Sequence, residues 1–125
     1  MSEFIYHLTA ASEIEAGTEN DEYLPARFEQ DGFIHCTGDL ETLVMVANDY
    51  FTAVTEDVVV FKIRSAALRS RLEFEAPAPI PGGGTEHLRE GLLFPHIYGP
   101  LNLDAVIARA ILPREGGKFR APEFP

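Results

Sequence analysis

At 125 residues, with 20 Asp and Glu against 10 Lys and Arg, the chain carries a formal net charge of -10 and suits one compact domain with its own core. That excess of acid argues against nucleic acid as a partner, because binding it rests on Lys and Arg neutralising phosphates; Arg64, Arg69 and Arg71 nevertheless lie close enough in sequence for a small local basic patch. The lone cysteine, Cys36, excludes an intramolecular disulfide and a Cys-rich zinc site, while the short apolar run VVVF and the opening MSEFIYHL predict neither a membrane span nor a signal peptide, so the expected location is cytoplasmic.

FIYHLT at 4–9 has the aromatic and β-branched content of a strand, and AASEIEAG after it reads as a short helix over 10–16 that ends at Gly17. Thr9 or Ser12 is placed to cap that helix, and Ser12 with Glu15 also has the spacing of a capping box. The acidic TENDE at 18–22 reads as a loop, and YLPARF, broken by Pro25, as an irregular connection or a short edge strand. GFIHCT at 32–37 is a second strand, bounded by Gly32 and Gly38, in which Cys36 reads as a small buried hydrophobe. Apolar residues at 40, 43, 44, 47, 50 and 51 then follow the period of an amphipathic helix, with Asp39 at its N-cap.

DVVVFKIR at 57–64 begins apolar on both faces, which suits the centre of a sheet, and SAALRSR suits a single helical turn. RLEFEA at 71–76 alternates, with Leu72 and Phe74 on one face and Glu73 and Glu75 on the other. PAPIPGGGTEHLREG at 77–91 has no period and reads as a long flexible loop. LLFPHIYGP resumes an extended pattern, and AVIARAIL at 105–112 reads as a last, largely buried strand. These elements place one domain over residues 1–113, and PREGGKFRAPEFP a Gly- and Pro-rich tail over 114–125, poorly ordered or draped on the surface.

The spacing His-x-Thr occurs twice, as YHLT and GFIHCT, each time where a strand gives way to a helix. Side chains alternate along a strand, so His7 shares a face with Thr9, and His35 with Thr37. If the two strands are neighbours, four polar groups converge where both end. His96 also sits in an apolar extended segment, whereas His87 falls in the loop. A structural reading stands beside the functional one: both threonines as helix caps, and each histidine half-buried and bonded to a backbone carbonyl. A catalytic zinc held by His7, His35 and His96 is a further alternative, but no HExxH or closely paired histidine spacing supports it, and no metal is expected. Cys36 and His35, adjacent on a strand, point to opposite faces and cannot form a nucleophile–base pair.

IYHLT, DGFIHCT and FPHIYGPLNLDAVI, in that order and in a chain of this length, resemble the family known as domain of unknown function 952, over nearly the whole chain up to about Pro113. The chain departs from the family at Arg27, where a serine is usual, and in the longer 77–91 segment. That family is similar in fold to the ADP-ribosyltransferases and the RNA 2′-phosphotransferases. The resemblance implies an α+β single domain with a bent or split β-sheet and two main helices, over 10–16 and 40–51. It also implies roles: His7 and Thr9 on the ribose of NAD, His35 as the histidine of the second core strand, and Glu75 as the carboxylate that stabilises an oxocarbenium-like transition state. Leu8 stands where NAD-using transferases carry glycine.

The expected function is therefore a nucleotide or small-molecule site lined by His7, Thr9, His35, Thr37, His96 and Tyr98. Its enzymatic form is NAD-dependent ADP-ribosyl transfer or NAD hydrolysis, with His7, His35 and Glu75 as catalytic groups and NAD as the cofactor. The alternative is a non-catalytic binding or interaction protein that keeps the fold. The discriminating geometry is whether His7 and His35 face one cleft.

Overall fold

A computed structural model describes residues 3–76 and 92–124 of the protein. The loop expected over 77–91, with His87, lies outside the described residues. Among the described residues three α-helices and eleven strands alternate in a mixed α and β order. The central antiparallel sheet joins β1 (Phe4–Ala10), β5 (Val58–Arg64) and β9 (Val106–Ile111), with β5 in the middle, as its two-sided apolar pattern requires. A second antiparallel sheet has the order β4 (Ile34–His35), β7 (Phe94–Tyr98), β6 (Arg71–Glu75).

Alternation along β1 and β5 divides the core into two layers. Ile5 pairs with Ile63, His7 with Phe61 and Thr9 with Val59, so these residues share the face turned toward the second sheet. There Ile5, Phe61 and Ile63 pack with Tyr23, Ile34, Cys36, Ile97, Leu101 and Ala105. The opposite face presents Leu8, Val58 and Val60 to Leu43 and Ala47 of helix α3 (Leu40–Tyr50), together with Leu112 and Phe119. Each fully buried aliphatic or Phe side chain contributes roughly 1.5–3 kcal/mol relative to an exposed one. Asp39 caps α3 as its position predicts: its Oδ1 accepts from the Thr42 N–H at 2.7 Å.

Several local expectations give way to tertiary contacts. Neither Thr9 nor Ser12 caps helix α1 (Ala11–Gly17); Ala10 is its N-cap and makes no side-chain bond. Instead the Glu56 carboxylate arrives from across the sequence, accepting from the Ser12 N–H at 2.6 Å and the Ser12 O–H at 2.8 Å. TENDE contains a hairpin between β2 (Thr18–Glu19) and β3 (Glu22–Tyr23), turned by Asn20 and Asp21 at φ 53° and 62°, as a two-residue turn of this hand requires. Tyr23 is not on an edge, because β3 runs between β2 and β8 (Leu101–Asn102). Helix α2 (Phe28–Asp31) is a single turn that begins at the last residue of YLPARF, and it ends at Gly32, whose φ of 81° suits a residue without Cβ.

AVIARAIL forms the edge strand β9, not a largely buried one: Ile107 is 44% and Ile111 59% exposed, and no strand among the described residues pairs with its outer edge. The residues expected to drape as a tail instead form a hairpin, β10 (Arg114–Glu115) with β11 (Lys118–Phe119). Phe119 is buried in the second core layer, and the Asn48 side chain clasps it, accepting from its N–H at 2.8 Å and donating to its carbonyl at 3.3 Å. Phe124 stacks on Tyr6. No helix among the described residues is long and apolar enough to cross a membrane.

Candidate functional site

The two His-x-Thr segments do meet, but they do not share a cleft. GFIHCT runs between the sheets. Ile34 and His35 lie opposite Ile97 and His96 of β7, and Cys36 N–H donates to the Pro95 carbonyl at 3.0 Å. One residue later the strand changes partner: Thr37 and Tyr6 exchange both backbone hydrogen bonds, at 2.8 and 2.9 Å. In an antiparallel ladder hydrogen-bonded pairs alternate with open ones, so Cys36 opposite Pro95 makes His35 opposite His96 an open pair. The His35 carbonyl then points away from β7, toward β1, and His7 Nδ1 lies 2.7 Å from it.

Around His7 the residues form a closed inner network. His7 is 6% exposed; its Nε2 lies 3.3 Å from the Tyr23 hydroxyl, which lies 3.0 Å from Thr9 Oγ1. A carbonyl only accepts, so Nδ1 carries a proton and donates to His35 O. Burial pushes the His7 pKa down to about 4, the bond to the His35 carbonyl opposing that shift, so the imidazole is neutral near pH 7. Burial likewise pushes the Tyr23 phenol up to about 12. Neutral His7 accepts at Nε2, and Tyr23 has one hydrogen to give, either to Nε2 or to Thr9. Thr37 is 5% exposed, and its Oγ1 is buried with no hydrogen-bond partner among the described residues.

The outer network lies on the opposite face of the second sheet. Ile34, Cys36 and Ile97 enter the core, so their neighbours Phe33, His35, His96 and Tyr98 turn the other way. His35 Nε2 lies 2.9 Å from Asp31 Oδ2, with the His35 side chain 37% exposed. His96 Nδ1 lies 2.8 Å from Glu75 Oε1, and Tyr98 O–H donates to the same oxygen. Phe33 binds the set together, its ring centroid 3.9 Å from His96 in a stacked arrangement and 4.6 Å from His35; the two imidazoles are 5.8 Å apart, edge to face. The Arg71 guanidinium lies over Tyr98 at 4.4 Å.

Donation from Tyr98 and then from His96 holds the Glu75 carboxyl below its ordinary range, and the same bond raises the Tyr98 phenol. Burial lowers the His96 pKa, partly offset by Glu75. Carboxylates only accept, so His35 gives its Nε2–H to Asp31 and His96 gives its Nδ1–H to Glu75. In the neutral form of such a ring the other nitrogen keeps a lone pair, Nδ1 in His35 and Nε2 in His96. Two carboxylate-oriented imidazoles side by side can accept or relay protons, and the surrounding rings supply a flat apolar surface.

Of the residues named from sequence, His35, His96, Tyr98 and Glu75 gather in the outer network, while His7 and Thr9 belong to the inner one and Thr37 lies buried beside Tyr6. His7 and the outer histidines do not converge, and among the described residues no three His, Cys, Asp or Glu side chains form a metal-holding group. Sequence reasoning missed Asp31, Phe33 and Tyr23. Phe33 was available from alternation, two residues before His35; Asp31 depended on the turn at Gly32, and Tyr23 on a hairpin folding over β1. Cys36 is buried in the core, and burial pushes its thiol pKa up. A depression of about 530 Å³ beside Glu3, Arg64, Leu68 and Phe74 contains none of these residues.

No curated protein matches the chain. Among solved structures, a crystal structure of protein CC0527 from Caulobacter crescentus is similar at 25% identity and a TM-score of 0.73, covering 96% of this chain and 93% of that one. A double mutant of the same protein gives 24% identity over the same coverage, also at a TM-score of 0.73. Its solution NMR structure gives 25% identity and a TM-score of 0.68, covering 93% and 90%. The family model described as "Protein of unknown function (DUF952)" matches residues 8–109, and the chain belongs to that family.

Proposed function

We propose that the protein binds a small molecule or nucleotide on the outer face of the β4–β7–β6 sheet. The observation that carries this reading is the convergence of Phe33, His35, His96 and Tyr98 with two carboxylates, Asp31 and Glu75, on one sheet face. Flat rings favour a planar ligand group, while imidazole lone pairs and carboxylates favour hydrogen-bond donors or cationic character in it. His35 is the exposed proton-transfer group, oriented by Asp31; His96 is the sheltered one, oriented by Glu75. The free buried thiol of Cys36 suits a reducing, cytoplasmic setting.

ADP-ribosyl transfer or NAD hydrolysis is the specific enzymatic version. Glu75 beside Tyr98 and His96 supports it, as a carboxylate held ionised where positive charge would develop on a ribose. The roles on His7 and Thr9 fare less well, because both are buried at 6% and 3% exposure and hydrogen-bonded within the protein. A non-catalytic binding protein is therefore the second reading, favoured by that same burial. Titration with nicotinamide, ADP-ribose and NAD, followed through the histidine ring signals by NMR, tests both. Binding at the outer face predicts that His35 and His96 shift while His7 does not; no shift at millimolar ligand removes these compounds as ligands, and NAD turnover separates the enzyme from the binder.

A further inference from the structure

We infer that His7 is a positioning residue for the outer site: its buried imidazole donates to the backbone carbonyl of His35 and so sets the strand segment that carries Phe33 and His35 against His96. The inference rests on the binding reading above for its functional meaning, but its geometry stands by itself. The bond from Nδ1 to the His35 oxygen, 2.7 Å, is made to the backbone of a residue whose side chain lies on the far side of the sheet. The His35 carbonyl is directed away from β7, because its neighbours Ile34 and Cys36 make the bonds to that strand, and β1 provides no backbone donor there until Thr37. His7 thus supplies, from the β1 side, the donor that this part-buried carbonyl accepts from.

The remainder of the inner network holds the His7 ring in place. Tyr23 reaches Nε2 at 3.3 Å and Thr9 at 3.0 Å, and Phe61 packs against the ring at 6.3 Å between centroids. Ring orientation, donor atom and acceptor are thus all specified from within the core, with no carboxylate involved. The chain of contacts runs from Thr9 and Tyr23 through His7 to the His35 backbone, and from there to the Phe33 and His35 rings on the outer face. The first His-x-Thr thereby serves the second, and this accounts for a pair of motifs that do not share a cleft. Residues placed behind a site in this way orient the groups in front of them.

The ligand-free protein supplies the test. The His35 ring protons lie near the Phe33 and His96 rings, and their NMR signals carry the ring-current displacement that this packing produces. His7→Leu should abolish that displacement in a folded protein, whereas His7→Asn, which keeps an N–H close to the Nδ1 position, should preserve most of it. Leu43→Ala, a core truncation on the opposite face of the central sheet, should lower the melting temperature and leave the His35 signals where they are, separating positioning from general stability. If His7→Leu does not fold, His7→Gln replaces it, since its longer arm carries the donor past the carbonyl. Unchanged His35 signals in the folded Leu or Gln variant, or equal displacement in Leu43→Ala, would overturn the inference. Titration of nicotinamide into the wild type is read separately: no response there removes that probe as a ligand of the outer face and leaves the ring-current result standing.

Discussion

His7 and His35 are 28 residues apart in sequence and in contact through a single hydrogen bond, yet they occupy opposite kinds of environment. The inner ring is packed between two sheets with a phenol, a hydroxyl and a carbonyl around it, and burial, against the opposing bond to the His35 carbonyl, holds it neutral. The outer rings each have a carboxylate at hydrogen-bond distance, and His35 and Glu75 keep a substantial part of their surface in water. The difference teaches that an imidazole's surroundings, more than its motif, separate a structural role from a chemical one. A buried ring without a counter-charge is held neutral and spends both nitrogens on the fold. A ring oriented by a carboxylate at the edge of solvent keeps one nitrogen for something else.

The sharpest way to break this contrast is to remove the centre of the inner network. Tyr23→Ala opens a cavity in the first core layer and should cost about 3–5 kcal/mol, measured by denaturant unfolding, whereas Tyr23→Phe should cost only about 1–3 kcal/mol, the penalty of losing the hydroxyl. If both cost the same, the hydroxyl and not the packing dominates.

Acid provides the next largest effect. His7 has a folded pKa of about 4 against an ordinary value of 6.5, so below 6.5 the unfolded chain takes up a proton that the folded one refuses. Its contribution is complete above pH 6.5 and is lost as the pH falls toward 4, a total of roughly 3 kcal/mol. Thermal unfolding of the wild type should therefore decline across that window, and His7→Asn should flatten the decline. A wild type with constant stability from pH 7 to 4.5 would show that His7 is not buried as described.

Truncations on the outer face should barely touch stability. His35→Ala is expected to change unfolding free energy by about 1 kcal/mol or less, because its side chain is partly solvated and its pairing with Asp31 is near the surface. The same variant should abolish the ligand response of the His96 ring. Large destabilisation would move His35 to the structural side of the comparison. Smallest of all is Tyr98→Phe, which removes the first of the donors that depress the Glu75 carboxyl. Carboxyl NMR titration should show the Glu75 pKa rising toward its ordinary value. Because that pKa is depressed in the folded protein, the stability it supports is present above the ordinary value and lost as the pH falls through the folded one, so Tyr98→Phe should soften the acid limb below about pH 4.5.

Much of the fold is legible in short stretches. RLEFE alternates, and Leu72 and Phe74 do face the core while Glu73 and Glu75 face out; VVVF is apolar on both sides, and β5 is covered on both sides. Asp39 caps α3 where its position places it. The outer site is half legible in the same sense, since PHIY and GFIH show by alternation which side chains avoid the core. What could not be read is long-range. Glu56 displaces the expected caps of α1 from 44 residues away, Phe119 is drawn into the core by α3, and Tyr23 reaches His7 only because a hairpin folds over the first strand.

The sequence by itself determined which side chains share a face, because alternation is a local consequence of backbone sterics and needs no partner. It placed His7 with Thr9, and His35 opposite Cys36, without any knowledge of the fold. Tertiary structure alone decided which face would be buried. The odd face of β1 is covered by a second sheet, whereas Phe33 and His35 of GFIH are left outside that same sandwich, so the first histidine became part of the core and the second part of a surface. Strand pairing between distant segments sets that outcome, and the sequence pattern of either segment alone carries no record of its partner.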